Sequence, residues 1–328
     1  MNINDSREIL VKKIIECIPP HIKPVDYLMN ELDISRVSVY RRLKCILPFT
    51  YDEIAALSVK LGLSLDNIIY NTDNRKAIFS FQQYNKMDSQ YYFSEVLKKF
   101  SQNLKEQNKA NRRQAIVSIN NLWLIYVFGY DHLLRFYYGQ WLHQNSLESY
   151  KLDFSEIQLS PEIVYMSHKI QKQVQNLAHT LFIIDKKLFF NTINNIQYYY
   201  RRNFFGKDEL LHLADELKII LDYTAAHVLK GKNVMEQTRL FYLSLVNLYS
   251  NSILVNCDGN LESFFYGYLL YPFKITNIHF CLQHKEWLES LKKNSVLMTA
   301  SNEALQIDFF KKQQEYLERL INNNDLVK

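Results

Sequence analysis

Between Asp33 and Lys44 the chain reads DISRVSVYRRLK, with three arginines, one lysine and no acid after Asp33. Cations set along one short helix can hydrogen-bond phosphate oxygens, and an arginine can grip the outer edge of guanine with two parallel bonds. Ser38 and Tyr40 add hydroxyls, and Val37 adds a methyl surface suited to thymine. On a helical wheel Val39 and Leu43 form a thin inner seam, with Ile34 just ahead of it in the turn. Arg36, Val37, Ser38, Tyr40, Arg41 and Lys44 are left for the outside. These types at these spacings imply a helix laid in the major groove of duplex DNA.

The elements around this stretch must hold it at the surface. Ile9, Leu10, Ile14, Ile15 and Ile18 repeat at helical spacing until PPHIKP stops the helix. Pro24 suits a first helical turn, so Val25 to Leu32 reads as a second helix. Ser35 is placed to cap a third helix, Arg36 to Cys45, and Pro48 breaks the chain after it. Thr50 with Glu53 three residues on forms a capping box for a fourth helix. Its apolar face is Ile54, Leu57 and Leu61, and Gly62 ends it. Ser64 opens a short fifth helix, LDNII.

This stretch, YLMNELDISRVSVYRRLKCILPFTYDEIAALSVKLGLSLDNII, resembles the helix-turn-helix of the lambda-repressor/Cro family. The resemblance covers about residues 5–70. It implies a five-helix DNA-binding bundle that works as a homodimer on a two-fold operator. Carried onto the matching positions, Arg36, Val37, Ser38, Tyr40 and Arg41 would face the DNA. The helix starts at Lys23–Pro24 and at Thr50 would meet phosphates. The sequence departs from the family at two places. Asp33 stands where the family often has glycine, and the inner apolar residue of the third helix is Leu43, one place late, with Arg42 in the usual slot. SVYRRLK by itself is similar to resolvase- or Fis-type helices.

At 328 residues the chain has room for a second, larger domain. The polar stretch NTDNRK, residues 71–76, is the expected linker between a domain at 1–70 and one at 77–328. Helical patterns run over 89–114 and about 114–145, 161–182, 184–204, 207–230 and 234–250. Two more helices close the chain. SILVNCDGNLESFFYGYLLY, around an Asp-Gly turn, is the only hairpin pattern. The expected fold is therefore mainly α: the five-helix bundle, then a mostly helical domain with one small β-hairpin.

Composition narrows the function classes. The 7 glycines never fall as G-x-G, which argues against dinucleotide turns and P-loops, so no cofactor is expected. Residues 1–76 carry 11 basic and 10 acidic side chains against 28 and 24 in the rest. A DNA-binding signal must then come from the placement of charge and not from its sum. Four scattered cysteines suit free thiols in a reducing compartment. The start has no signal pattern, and Asp131, His132 and Arg135 interrupt the apolar run Asn121–Leu142. A cytoplasmic protein outside the membrane is expected.

Three further groups carry possible chemistry. His279, Cys281 and His284 with Cys257 could ligate zinc, but finger spacing is lacking, so no metal is expected. YYYRRNFF, Tyr198 to Phe205, could stack bases, but reads better as a core rim with arginine over a ring. Trp123, Tyr126, Tyr130, Tyr137, Tyr138 and Trp141 could line a sensor pocket for a small molecule or simply fill a core. No nucleophile elbow or metalloprotease motif is present, and the chain is not expected to be an enzyme. The sequence reads as a transcriptional regulator, its larger domain serving dimerisation and sensing of a ligand or partner. A protein-interaction adaptor is the alternative.

Overall fold

A computed structural model describes residues 3–19, 21–63, 65, 89–122, 124–145, 152–176, 179–233, 235–268 and 271–322. The chain divides into two compact units, Met1–Phe79 and Ser80–Lys328. The expected helix at LDNII, apart from Leu65, and the linker at 71–76 lie outside the described residues.

The first unit packs α1 (Ile3–Cys17), α2 (Pro24–Leu32), α3 (Arg36–Leu43) and α4 (Tyr51–Leu61). Its core is Val11, Ile14, Ile18, Leu28, Val39, Phe49 and Leu57, with Ile34 and Leu43 packed against it. Three of the helix ends have a local cause. Ser35 accepts from Ser38 N–H at the start of α3 (3.3 Å), and the reciprocal Thr50–Glu53 capping box starts α4. Cys45 N–H donates to Arg42 O and Ile46 N–H to Arg41 O, both at 2.9 Å, which closes α3 in a Schellman motif.

The second unit is a mixed α/β structure, and this corrects the expectation of a mainly α chain with one small hairpin. It carries α5 (Ser89–Gln107), β1 (Arg113–Ile119), α6 (Leu124–Val127), α7 (Asp131–Asn145), a 3-10 turn (Phe154–Glu156), α8 (Pro161–Gln175) and β2 (Thr180–Ile184). Then come α9 (Leu188–Arg201), α10 (Lys207–Lys230), β3 (Arg239–Ser244), β4 (Ser252–Cys257), β5 (Asn260–Tyr268) and β6 (Tyr271–Ile275). The chain continues with α11 (Ile278–Lys293), β7 (Ser295–Leu297) and α12 (Glu303–Ile321). The seven strands form one sheet in the order β6-β5-β4-β1-β2-β3-β7. β1, β2 and β3 are parallel; β4, β5 and β6 form an antiparallel meander beside β1, and β7 runs antiparallel to β3.

The strands that the sequence pattern merged into helices are the three parallel ones. The helix expected over 114–145 is β1 followed by α6 and α7, and the one expected over 234–250 holds β3. β2 (TLFII, Thr180–Ile184) takes the end of the helix expected at 161–182 and the first residue of the one expected at 184–204. A parallel strand covered on both faces shows an apolar run without alternation, which does not separate it from a buried helix. The hairpin β4–β5 lies where the Asp-Gly signal places it, with Asp258 and Gly259 both at positive φ (51° and 92°).

The sheet has two dressed faces. Ala115, Val117, Ile119, Ile184, Phe241, Val255 and Phe264 join the main core together with α5, α7, α8, α9 and α10. Ile183 and Leu254 on the other face pack with Cys281 and Leu288 of α11, and Ile116 and Leu181 lie against them. The apolar run at 121–142 breaks between α6 and α7 at Gly129, whose φ is 85°. Among the described residues no helix is long and apolar enough to cross a membrane.

Candidate nucleic-acid interface

In the first unit, α2, a turn and α3 place one basic face outward. Asp33 ends α2 in the left-handed conformation (φ 50°, ψ 47°), the role glycine usually fills there. Val39 is buried and Leu43 half-buried, so the seam faces the core. Arg36, Val37, Tyr40, Arg41 and Lys44 are exposed, and Ser38 is half-buried. Val37 is 69% exposed and Tyr40 47%.

Arg42 behaves differently from the other cations of α3. It is 7% exposed and points into the unit. Its Nε donates to Glu53 Oε2 at 2.9 Å and Nη2 to Glu53 Oε1 at 2.7 Å, a bidentate pair from α3 to α4. Nη1 donates to Ser38 O at 3.3 Å and also bonds the Ser38 hydroxyl. The hydroxyl of Ser38 is thus engaged inward. Burial alone would raise the Glu53 carboxyl. Hydrogen bonds from Arg42 and from Thr50 N–H, with the Arg42 charge, outweigh burial and hold it below its ordinary value. The arginine in the usual apolar slot therefore acts as a strut that fixes the angle of α3 on α4.

The other expected contacts differ in quality. Lys23 is exposed at the start of α2 and gives the helix no side-chain cap. Thr50 is exposed, but its hydroxyl accepts from Glu53 N–H (3.3 Å) and its own N–H donates to Glu53 (2.8 Å). Asp52 and Glu53 also place acids in that first turn. Phosphate would meet negative charge there, so Thr50 is the weakest member of the set. Arg36 stands 3.5 Å from Asp26, with both side chains about half exposed, an ion pair weak enough to release its arginine.

The remaining candidates resolve into packing. His284 is buried, with Nδ1 2.9 Å from Ser263 Oγ and Nε2 3.1 Å from Ser252 Oγ. Both ring nitrogens are engaged, and burial pushes its pKa down to about 4. Cys281 shares the Ser263 hydroxyl, and among the described residues no three His, Cys, Asp or Glu side chains gather to hold a metal. Arg202 lies 3.7 Å over the Tyr198 ring while Tyr199, Phe204 and Phe205 are buried, a core rim. Tyr137, Tyr138 and Trp141 are core residues, Tyr126 and Tyr130 line a cavity, and Trp123 lies outside the described residues. At the carboxyl ends of β1 and β2, where open α/β sheets often hold ligands, the polar side chains are taken up by backbone N–H groups. Asn120 N–H donates to Asn251 Oδ1 (2.9 Å), and Asp185 accepts from Lys187 N–H and Leu248 N–H (2.8 and 2.9 Å). No known protein family, curated protein or solved structure matches this chain.

Proposed function

We propose that the protein is a cytoplasmic, sequence-specific DNA-binding regulator of transcription, and that α3 enters the major groove. The observation that carries this reading is the division of labour on α3. Arg42 and Val39 anchor the helix inward, while Arg36, Val37, Tyr40, Arg41 and Lys44 stand together on the open side. A helix tied down by a bidentate buried pair presents base-reading side chains in fixed positions, which specificity requires. Lys23 adds a cation at the start of α2, beside the open face in sequence but with no partner role of its own in capping. Homodimerisation on a two-fold site is part of the proposal, since one short helix reads too few base pairs alone.

The test is fluorescence anisotropy of the full chain on duplexes selected from a random pool, at two salt concentrations. A selected two-fold motif should bind far more tightly than random duplex. Arg41→Ala should weaken it by roughly 5- to 150-fold, the equivalent of about 1–3 kcal/mol for one good contact. No enriched motif, or binding indifferent to Arg41→Ala, overturns the proposal and leaves the adaptor reading.

A further inference from the structure

Four side chains of the second unit, Tyr126, Val174, Phe182 and Arg239, line two adjoining cavities on the face of the sheet that carries the main core. One cavity has a volume of about 180 Å³ and extends toward Tyr130, Tyr223, His227 and Asn233. The other, about 100 Å³, extends along the sheet toward Phe100, Val255, Phe264 and Tyr266. Well-packed interiors hold few voids larger than a water, and an apolar cavity of about 150 Å³ accepts a benzene-sized guest. The space here is of ligand size and sits against a packed core.

Its polar content is specific. Arg239, the first residue of β3, is 5% exposed and faces the cavities from the sheet, level with Thr180 of β2. Its Nη1 donates to Thr238 O at 3.1 Å and Nη2 to Gln237 Oε1 at 3.3 Å, which fixes the guanidinium in place. Among the described residues, the lining of the two cavities contains this one cation and no carboxylate. Burial raises the phenols of Tyr126 and Tyr223, so both keep their protons and can donate hydrogen bonds. Burial and the nearby Arg239 charge lower His227, so its ring stays neutral at neutral pH. Tyr223 is 40% exposed, and its ring centroid lies 4.0 Å from that of His227. Past Arg239 the walls turn apolar, with Phe182 stacked on Phe241 at 4.6 Å.

We propose that this double cavity binds a small amphipathic organic carboxylate, its head on Arg239 and the phenol of Tyr126, its apolar body along Phe182 toward Phe264. An arginine fork matches a carboxylate with two parallel hydrogen bonds, and a low-dielectric surrounding strengthens them. The neutral donors nearby add hydrogen bonds without competing for charge. The site belongs to the second unit, and the proposal does not depend on DNA binding.

The test uses octanoate and its uncharged match octanol as probes of the full-length protein, by isothermal titration calorimetry. Octanoate should bind at one site per chain and at least tenfold more tightly than octanol. Arg239→Met should remove that preference, leaving the two probes equal. Val174→Trp, which fills the wall between the cavities, should abolish binding of both while circular dichroism stays native. It carries the test if Arg239→Met does not fold. Octanoate binding no tighter than octanol, or octanoate binding that survives Val174→Trp, overturns the proposal.

Discussion

Removing either partner of the Arg42–Glu53 pair should have unequal consequences, and removing both should undo most of the damage. Glu53→Leu leaves a guanidinium that is 7% exposed without its carboxylate. Breaking a buried pair from one side costs about 3–5 kcal/mol. The same change deletes half of the α4 capping box, roughly another 1 kcal/mol. A unit of this size has on the order of 4–12 kcal/mol in total, so it should approach its unfolding threshold. Arg42→Leu is milder. Glu53 keeps its bond from Thr50 N–H at 2.8 Å and turns toward water, so the cost is about 1–2 kcal/mol. In the double variant two leucines meet beside Phe49 and Ile54, and stability should fall within about 1 kcal/mol of Arg42→Leu alone.

The assay must see the first unit by itself. Trp123, Trp141 and Trp287 all belong to the second unit, so tryptophan fluorescence does not report on α3 and α4. Native-state hydrogen exchange of the full chain, read by mass spectrometry on peptides covering 36–61, does. Additive effects of the two changes, or greater damage from Arg42→Leu than from Glu53→Leu, refute the strut. The pH dependence carries the same sign. Glu53 is held below its ordinary 4.5, so its contribution is complete above that value and is lost as pH falls through the lower folded-state value.

Two more outcomes are expected. His284 is held near 4 against an ordinary 6.5, so the unfolded chain takes up a proton first as pH falls. The second unit should lose roughly 3 kcal/mol between pH 6.5 and 4, read by urea unfolding with Trp141 and Trp287 fluorescence, and a flat profile contradicts the burial of a neutral ring. Asp33→Gly should stabilise the first unit by about 0.5–1 kcal/mol in the same exchange experiment, because φ is 50° there, and a loss of stability would mean that the aspartate side chain has a structural role.

What could be read ahead of the structure divides by physical cause. The first unit announces itself through local chemistry: Ser35, Thr50–Glu53 and Gly62 each satisfy or end a helix within a few residues of themselves. The β4–β5 hairpin is legible for the same reason, since an Asp-Gly pair imposes its own turn. The parallel strands are set by burial against partners 65 and 59 residues away, as Val117 is by Phe182 and Phe182 by Phe241. Nothing local in RQAIVSI or TLFII distinguishes a strand from a turn of buried helix. Arg42 shows the same limit at a single residue. It reads as one more cation on a basic helix, and only Glu53, eleven positions on, makes it internal. Arg239 was invisible because its neighbours Tyr126, Tyr223 and His227 come from distant elements. A lone arginine opening an apolar strand, TRLFYL, is the one signal that could have raised it.

The two proposed sites constrain each other through linkage. A carboxylate held on Arg239 alters DNA affinity only if it binds the two operator-relevant states of the protein unequally. Any such coupling is reciprocal, so a duplex that binds α3 must change octanoate affinity by the same factor. The comparison needs no knowledge of how the units are arranged. If octanoate binds equally with and without the selected duplex, the cavity and the helix are separate functions on one chain. If both affinities shift by one common factor, the protein is a ligand-gated regulator, and the size of that factor bounds the response that ligand can produce.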